Sequence, residues 1–342
     1  MMLTLTRPDD FHLHLRDGQA LARTVGDALG QCARALVMPN LVPAVDTLEA
    51  VSAYRQRILA HVPKGADFTP LMSLYLSQTL SPETLLHAKA QGVLAVKWYP
   101  KGATTNSAQG VAHLEALEPI LSVMQEVGLI LLIHGEVTEA QVDIFARESC
   151  FIEEVLIPLR AKFPRLKMVL EHITTAHAVE YVRSQERNLA ATITAHHLLF
   201  NRNQLLVGGI KPHFYCLPIL KKEEDRLALV QAAVSGDRRF FLGTDSAPHA
   251  RSAKESACGC AGCYTGYATM AFYAQVFERA QALDKLNDFA AKFGAEYYEL
   301  PYNHGELVLE KRVWQLPETL PFGDTVLVPF LAGEQWHWQV VA

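Results

Sequence analysis

Near the start of the chain, "DFHLHLRDG" sets His12, His14 and Arg16 at alternate positions. A strand carries every second side chain on one face. The spacing therefore predicts a half-buried strand with these three on one side and Phe11, Leu13 and Leu15 on the other. Imidazole nitrogens are common ligands of divalent metals, and a guanidinium presents a planar fork matched to a carboxylate. Similar polar interruptions recur near the ends of later apolar runs: Lys97 in "AVKWY", His134 in "LLIHGE", His172 in "LEHITT" and Asp245 in "FLGTDSAPH". Four imidazoles and a carboxylate suit Zn2+, and such donors also accept Co2+ or Mn2+. A protonated lysine beside two dications is electrostatically untenable. A neutral lysine amine that takes up carbon dioxide becomes a carbamate, an anionic oxygen donor able to bridge two metals. Balanced by that carbamate, Asp245 and a bridging hydroxide, two zinc ions would keep one net positive charge and attract an anionic, carbonyl-bearing substrate.

These residues need a frame that gathers them. Apolar runs rich in Val, Ile, Leu and Phe follow the opening strand at 34–40, 68–76, 92–100, 128–136, 166–174, 188–197 and 238–249. Between them lie helix-like stretches. Residues 47–62 repeat apolar side chains at helical spacing, 81–92 open on Ser-Pro and close on Gly, and 222–236 form an amphipathic stretch ending in Gly. Eight strands, most followed by a helix, predict an α/β fold, a parallel (β/α)8 TIM barrel. Barrel active sites lie at the C-terminal ends of the strands, where each polar interruption falls. The expected organisation is a single domain, with the barrel over roughly 8–300 and a small β-rich extension over roughly 301–342.

Composition narrows the partners. The 342 residues carry a formal net charge of −5 with no long Lys/Arg run, so neither nucleic acid nor an anionic membrane surface is expected. No apolar run approaches the roughly 20 residues of a membrane span, and the N-terminus lacks a signal-peptide pattern, so a cytoplasmic protein is expected. The six cysteines read as reduced thiols rather than a disulfide framework. Cys258, Cys260 and Cys263 crowd into "CGCAGC", which looks like a zinc knuckle but lacks a second pair; its glycines argue for a tight loop.

H-x-H on strand one, Lys on strand four, His on five and six and Asp on eight is the pattern of the amidohydrolase superfamily. More narrowly, "RPDDFHLHLRDG", "VMPNLVPAV", "KWYPKGATTNS", "LIHGEVT", "EHITT", "KPHFYCLPIL" and "FLGTDSAPHARSAKESACGCAGC" resemble the bacterial-type homodimeric dihydroorotases through nearly the whole chain. The resemblance implies two zinc ions per subunit, one held by His12, His14 and Asp245, the other by His134 and His172, with Lys97 as a bridging N6-carboxylysine. It implies that Arg16, Asn40 and His249 hold a substrate carboxylate, that backbone near Leu217 and Ala261 meets the ring amides, and that His14 and His134 also face the substrate. Thr104 and Thr105 would lie in a loop closing over it, and Asp245 would act as base and then acid. The implied reaction is the reversible cyclisation of N-carbamoyl-L-aspartate to L-dihydroorotate, in a homodimer. Two other readings stay open: another cyclic amidase such as a hydantoinase or allantoinase, and a non-catalytic barrel relative acting in assembly.

Overall fold

The computed structural model describes residues 1–107, 110 and 117–341. A first strand, β1 (Met2–Thr6), lies outside the barrel. The eight parallel strands follow in spatial order as in sequence: β2 (Asp9–Leu13), β3 (Arg34–Val37), β4 (Thr69–Tyr75), β5 (Val93–Trp98), β6 (Ile130–His134), β7 (Met168–Glu171), β8 (Leu189–Ile193) and β9 (Phe240–Leu242). All eight apolar runs read from the sequence are these strands. The ring closes beyond β9, where the Asp245 amide donates to His12 O (2.9 Å) and the His14 amide to Ser246 O (3.2 Å). The helices expected at 47–62, 81–92 and 222–236 are Leu48–Leu59, Pro82–Ala90 and Glu223–Val234. Thr47 and Ser81 cap the first two by accepting from the amides of Ala50 and Thr84.

Strand periodicity builds the interior in layers. Leu36, Ala95, Leu132, Val169, Ala190 and Phe241 point inward and pack with Phe11 against Phe293 and Tyr298, which seal one end. Two residues further along three of these strands, the same face brings Lys97, His134 and Glu171 toward the opposite mouth. The parity that fills the core therefore also delivers the polar groups.

The opening strand departs from strict alternation. Strand β2 ends at Leu13, and its register against β3 shifts between Asp10 and Leu13. Phe11 joins the interior layer, whereas Leu13 and Leu15 pack outward against the helices. Phe11 thus does not share a face with those leucines; a bulge re-aims the strand just where His12 must enter the mouth.

At the C-terminus, β10 (Glu306–Gln315), β11 (Leu320–Phe322), β12 (Thr325–Leu327) and β13 (Gln335–Val340) form the expected extra strands. β1, β10 and β13 make a three-stranded antiparallel sheet, so the extension recruits the first residues of the chain. It docks through Trp336, whose indole donates to Ala271 O at 3.0 Å on the helix Thr269–Arg279. No helix among the described residues is long and apolar enough to cross a membrane.

Candidate active site

One small cavity at the barrel mouth is lined by His12, His14, Arg16, Asn40, Thr104, Thr105, His134, His172, Leu217, Asp245 and Ala261, with Tyr99 among its other walls. Lys97 lies fully buried on β5 and touches Glu171, while His249 stands behind Arg16. The structure thus brings together every residue that the sequence reading marked for the site.

His12, His14 and Asp245 converge most closely. His12 Nε2 is 3.2 Å from His14 Nε2, and Asp245 Oδ1 is 3.3 and 3.0 Å from those two nitrogens. The rings of His134 and His172 stand edge to face with centroids 4.9 Å apart. His134 Nε2 lies 2.9 Å from Glu136 Oε2, so here that nitrogen faces a neighbouring carboxylate rather than Lys97. His172 Nδ1 is buried with no hydrogen-bond partner. Buried polar atoms are normally satisfied. An orphaned imidazole nitrogen beside a tight His–His–Asp cluster therefore fits a site made for metal.

Glu171 was not anticipated. Its carboxylate contacts Lys97 Nζ and reaches within 3.1 Å of His12 Nδ1. The signal was present in the sequence: Glu171 lies two residues past Val169 on the inward face of its strand. Glu136 had no such signal, because it follows the end of β6. Glu171 also changes the charge count, since its negative charge cancels the single positive charge expected for two zinc ions and their anionic ligands. Burial favours the neutral ring at His12, yet the carboxylates of Glu171 and Asp245 outweigh it and raise the group to about 9. Burial takes His14 down to about 4, and it also pulls the Lys97 ammonium below the usual lysine value, against the attraction of Glu171. A lysine so placed leans toward the neutral amine that carbon dioxide requires.

Several of these side chains are aimed by unusual backbone. Arg16, His172 and Asp245 take φ of 60°, 44° and 46°, a left-handed conformation that costs a non-glycine residue about 1–3 kcal/mol. Each is pinned: Tyr54 Oη donates to Arg16 O (2.6 Å), the His172 amide to Thr192 Oγ1 (2.8 Å) and the Asp245 amide to His12 O (2.9 Å). Asp10 adds a staple across the barrel seam, accepting from the amide (2.9 Å) and hydroxyl (2.6 Å) of Thr244 and from the His12 amide (3.0 Å).

Arg16 does not pair with its neighbour Asp17, which bonds Arg57 instead at 2.8 Å. Its Nε donates to Pro248 O at 3.1 Å, and Nη2 lies 3.1 Å from His249 Nε2. That same nitrogen is 3.0 Å from Ala261 O, so the neutral His249 ring serves one of the two contacts at a time. Burial, then the Arg16 charge, hold His249 down to about 2. The Thr104–Thr105 loop lies over the cavity: Asn40 Nδ2 donates to Thr105 O (3.1 Å) and Asn106 Nδ2 to Asn40 O (3.1 Å). The thiols of "CGCAGC" do not converge. Cys258 and Cys260 sit 3.8 Å apart toward the surface, while Cys263 is buried beside Cys216 and His196. Gly262 takes φ of 150°, and a Cβ there would meet Ala247 O at 2.9 Å, which lets this loop form a wall of the cavity.

An eight-stranded parallel barrel with histidines, a buried lysine and an aspartate gathered at one mouth defines a class, the barrel hydrolases built around such clusters. The sequence profile of the amidohydrolase family matches residues 10–307. A dihydroorotase of Ralstonia pickettii (strain 12J) is 58% identical over 340 residues, covering 99% of both chains. The crystal structure of a dihydroorotase from Campylobacter jejuni superposes with a TM-score of 0.92 at 35% identity, over 100% of this chain and 98% of that one. A dihydroorotase of Saccharomyces cerevisiae solved with 5-fluoroorotic acid gives 0.91 at 34%, over 99% and 98%. The chain belongs to the amidohydrolase family and, within it, to the dihydroorotases.

Proposed function

We propose that the chain interconverts N-carbamoyl-L-aspartate and L-dihydroorotate, the ring-closing step of pyrimidine biosynthesis. The observation that carries this reading is one cavity in which Arg16 and Asn40 stand beside the His12–His14–Asp245 cluster, an arrangement that would hold a carboxylate and a reacting carbonyl together. In this reading His12, His14 and Asp245 would hold one divalent metal, His134 and His172 would hold a second, and Lys97, as a carbamate, would bridge the two. The amine adds carbon dioxide and loses one proton in becoming that bridge. Metals so held polarise a carbonyl oxygen and lower the pKa of water; Zn2+ is the first choice, with Co2+ and Mn2+ as alternatives.

The protein's own groups supply the rest. Arg16 grips the substrate carboxylate with paired N–H donors, Asn40 adds an amide, and His249 gives up its contact with Arg16 as the carboxylate arrives. Backbone at Leu217 and Ala261 orients the ring amides. In the hydrolytic direction Asp245 takes a proton from the attacking water and passes it to the departing amide nitrogen; ring closure runs the same transfers backward. The loop carrying Thr104 and Thr105 excludes water while the ring reacts. A cytoplasmic homodimer belongs to the same reading and rests on the resemblance to the bacterial-type class; light scattering tests the dimer.

Steady-state assays with L-dihydroorotate, dihydrouracil and hydantoin, run with metal analysis on the same preparation, decide the matter. Strong preference for L-dihydroorotate with about two metals per subunit is expected. Preference for hydantoin would move the chain to another cyclic amidase, and a metal-free, inactive protein would favour an assembly role.

A further inference from the structure

We infer that Glu171 is the positioning residue of this site: one carboxylate oxygen holds Lys97, and the other holds His12 as the Nδ1–H tautomer, leaving Nε2 to face the metal-binding cluster. The inference rests on the metal and carbamate assignments proposed above.

The side chain of Glu171 is 0% exposed and that of His12 is 1% exposed, so neither finds a partner in water. Oε2 is taken by Lys97 Nζ. Oε1 lies 3.1 Å from His12 Nδ1. The approach is oblique, short of a formed hydrogen bond, and neither atom has another partner among the described residues. Burying either atom unpaired is costly, so pairing the two is how both are satisfied.

The other side of the ring fixes which nitrogen carries the proton. His12 Nε2 faces His14 Nε2 at 3.2 Å and Asp245 Oδ1 at 3.3 Å, inside the cluster that would hold metal. A nitrogen that gives its lone pair to a metal cannot also carry a proton, so the proton belongs on Nδ1, where Glu171 waits. Imidazole ligands commonly donate their second N–H to a carboxylate, which fixes ring orientation and raises ligand basicity.

The Lys97 contact works in both chemical states of the lysine. An amine and a carbamate each keep an N–H, and Glu171 Oε2 accepts from either. One carboxylate therefore aims a ligand from β2 and the bridge from β5. Glu171 itself is held by backbone: it sits opposite His134 in the register of β6 and β7, with the next amide bonded to Thr192 Oγ1 at 2.8 Å. Asp245 approaches the ring from the Nε2 side and Glu171 from the Nδ1 side, so the two carboxylates do different work.

The first test needs no substitution. Long-range 1H–15N spectra of the zinc-loaded protein, labelled at histidine, should show His12 protonated at Nδ1 and shifted by metal at Nε2. The reverse pattern overturns the inference. The second test is Glu171→Gln, whose amide accepts with only one atom and so cannot serve both Lys97 and His12. Apo protein of this variant should bind zinc about 10- to 100-fold more weakly in competition with a chelator. Its carbamate resonance after incubation with 13C-bicarbonate should be diminished, with far-UV circular dichroism unchanged. Wild-type zinc affinity and carbamate signal in a folded Glu171→Gln protein would also overturn it, and if the variant does not fold, the wild-type spectra decide alone. A wild-type enzyme inactive on L-dihydroorotate but protonated at His12 Nδ1 would sink the proposed function and spare this inference; an active enzyme with the proton on Nε2 would do the opposite.

Discussion

Replacing Arg16 separates substrate recognition from metal chemistry, because Arg16 lines the cavity without joining the cluster of His12, His14 and Asp245. Its Nε is committed to Pro248 O and one Nη2 proton faces His249, so most of its remaining donors stay available for a ligand. Arg16→Lys keeps the charge and loses the bidentate fork; Arg16→Met loses both. Leaving a desolvated carboxylate without its partner costs about 2–5 kcal/mol. At about 1.4 kcal/mol per decade, that lowers kcat/KM for L-dihydroorotate by about 30- to 4,000-fold, with methionine at the severe end. A ring without a carboxylate never used the guanidinium, so its kcat/KM should hold nearly steady. The assay is a pair of progress curves on the carboxylated and uncarboxylated rings, with metal content measured on the same samples. Metal should stay at the wild-type level in both variants. Equal losses on both rings would refute the reasoning and make Arg16 a brace for the loop at Pro248 and His249.

Lys97→Ala should lose most activity and part of its metal, and a short carboxylic acid should restore some of both by standing in for the carbamate; full metal content and activity without Lys97 would remove it from the centre. Thr104→Ala/Thr105→Ala should lower kcat by roughly 10²-fold at constant metal content, taking ~2.7 kcal/mol as the scale for a lost transition-state donor, and normal turnover would cancel the lid role. Away from the site, the hydrogen bonds of Arg226 hold the Glu223 carboxyl down to about 2, below its unfolded value, so its stabilisation is present above pH ~4.5 and fades as pH falls toward ~2. Because Glu223 is 45% exposed, Glu223→Gln should cost no more than about 1 kcal/mol at pH 7 and progressively less below pH ~4.5, read by denaturant unfolding at several pH values.

Most of the barrel could be read from the sequence because parallel strands buried on both faces appear as short apolar runs, and polar residues at their ends stand out. His134 and Lys97 were visible for that reason. The bulge in β2 was not, since moving Phe11 inward depends on packing against Phe241 and Tyr298, far away in sequence. Nor was β1: "MLTLT" alternates correctly, but its partner is β10, and Leu3 pairs with Leu309 near the other end of the chain. The left-handed backbone of Arg16, His172 and Asp245 leaves no mark in residue type, because none is glycine. Glu171 was hidden by its neighbour. Beside a histidine that invites a ligand role, a glutamate reads as a solvated strand end, and only the inward parity of β7 shows that it cannot be one.

Adding Glu171 changes how the site selects substrate. A carbamylated Lys97, Asp245 and Glu171 would remove three of the four positive charges of two divalent metals before the attacking water's own charge is counted. The reacting centre then holds little net charge with which to attract an anion. Arg16 remains, and its nearest acidic neighbour in sequence, Asp17, is tied to Arg57 rather than to it. Among the described residues the Arg16 guanidinium has no direct ion-pair partner, although the Asp245 carboxylate acts on it through space; its side-chain hydrogen bonds go to Pro248 O and the neutral His249 ring. Attraction for the substrate carboxylate and activation of the carbonyl would thus be divided between different residues. In the proposed reading an uncarboxylated ring would meet the cluster but gain nothing from Arg16, Asn40 or His249, so discrimination between the two substrate classes would fall on these side chains, Arg16 foremost, rather than on the metals.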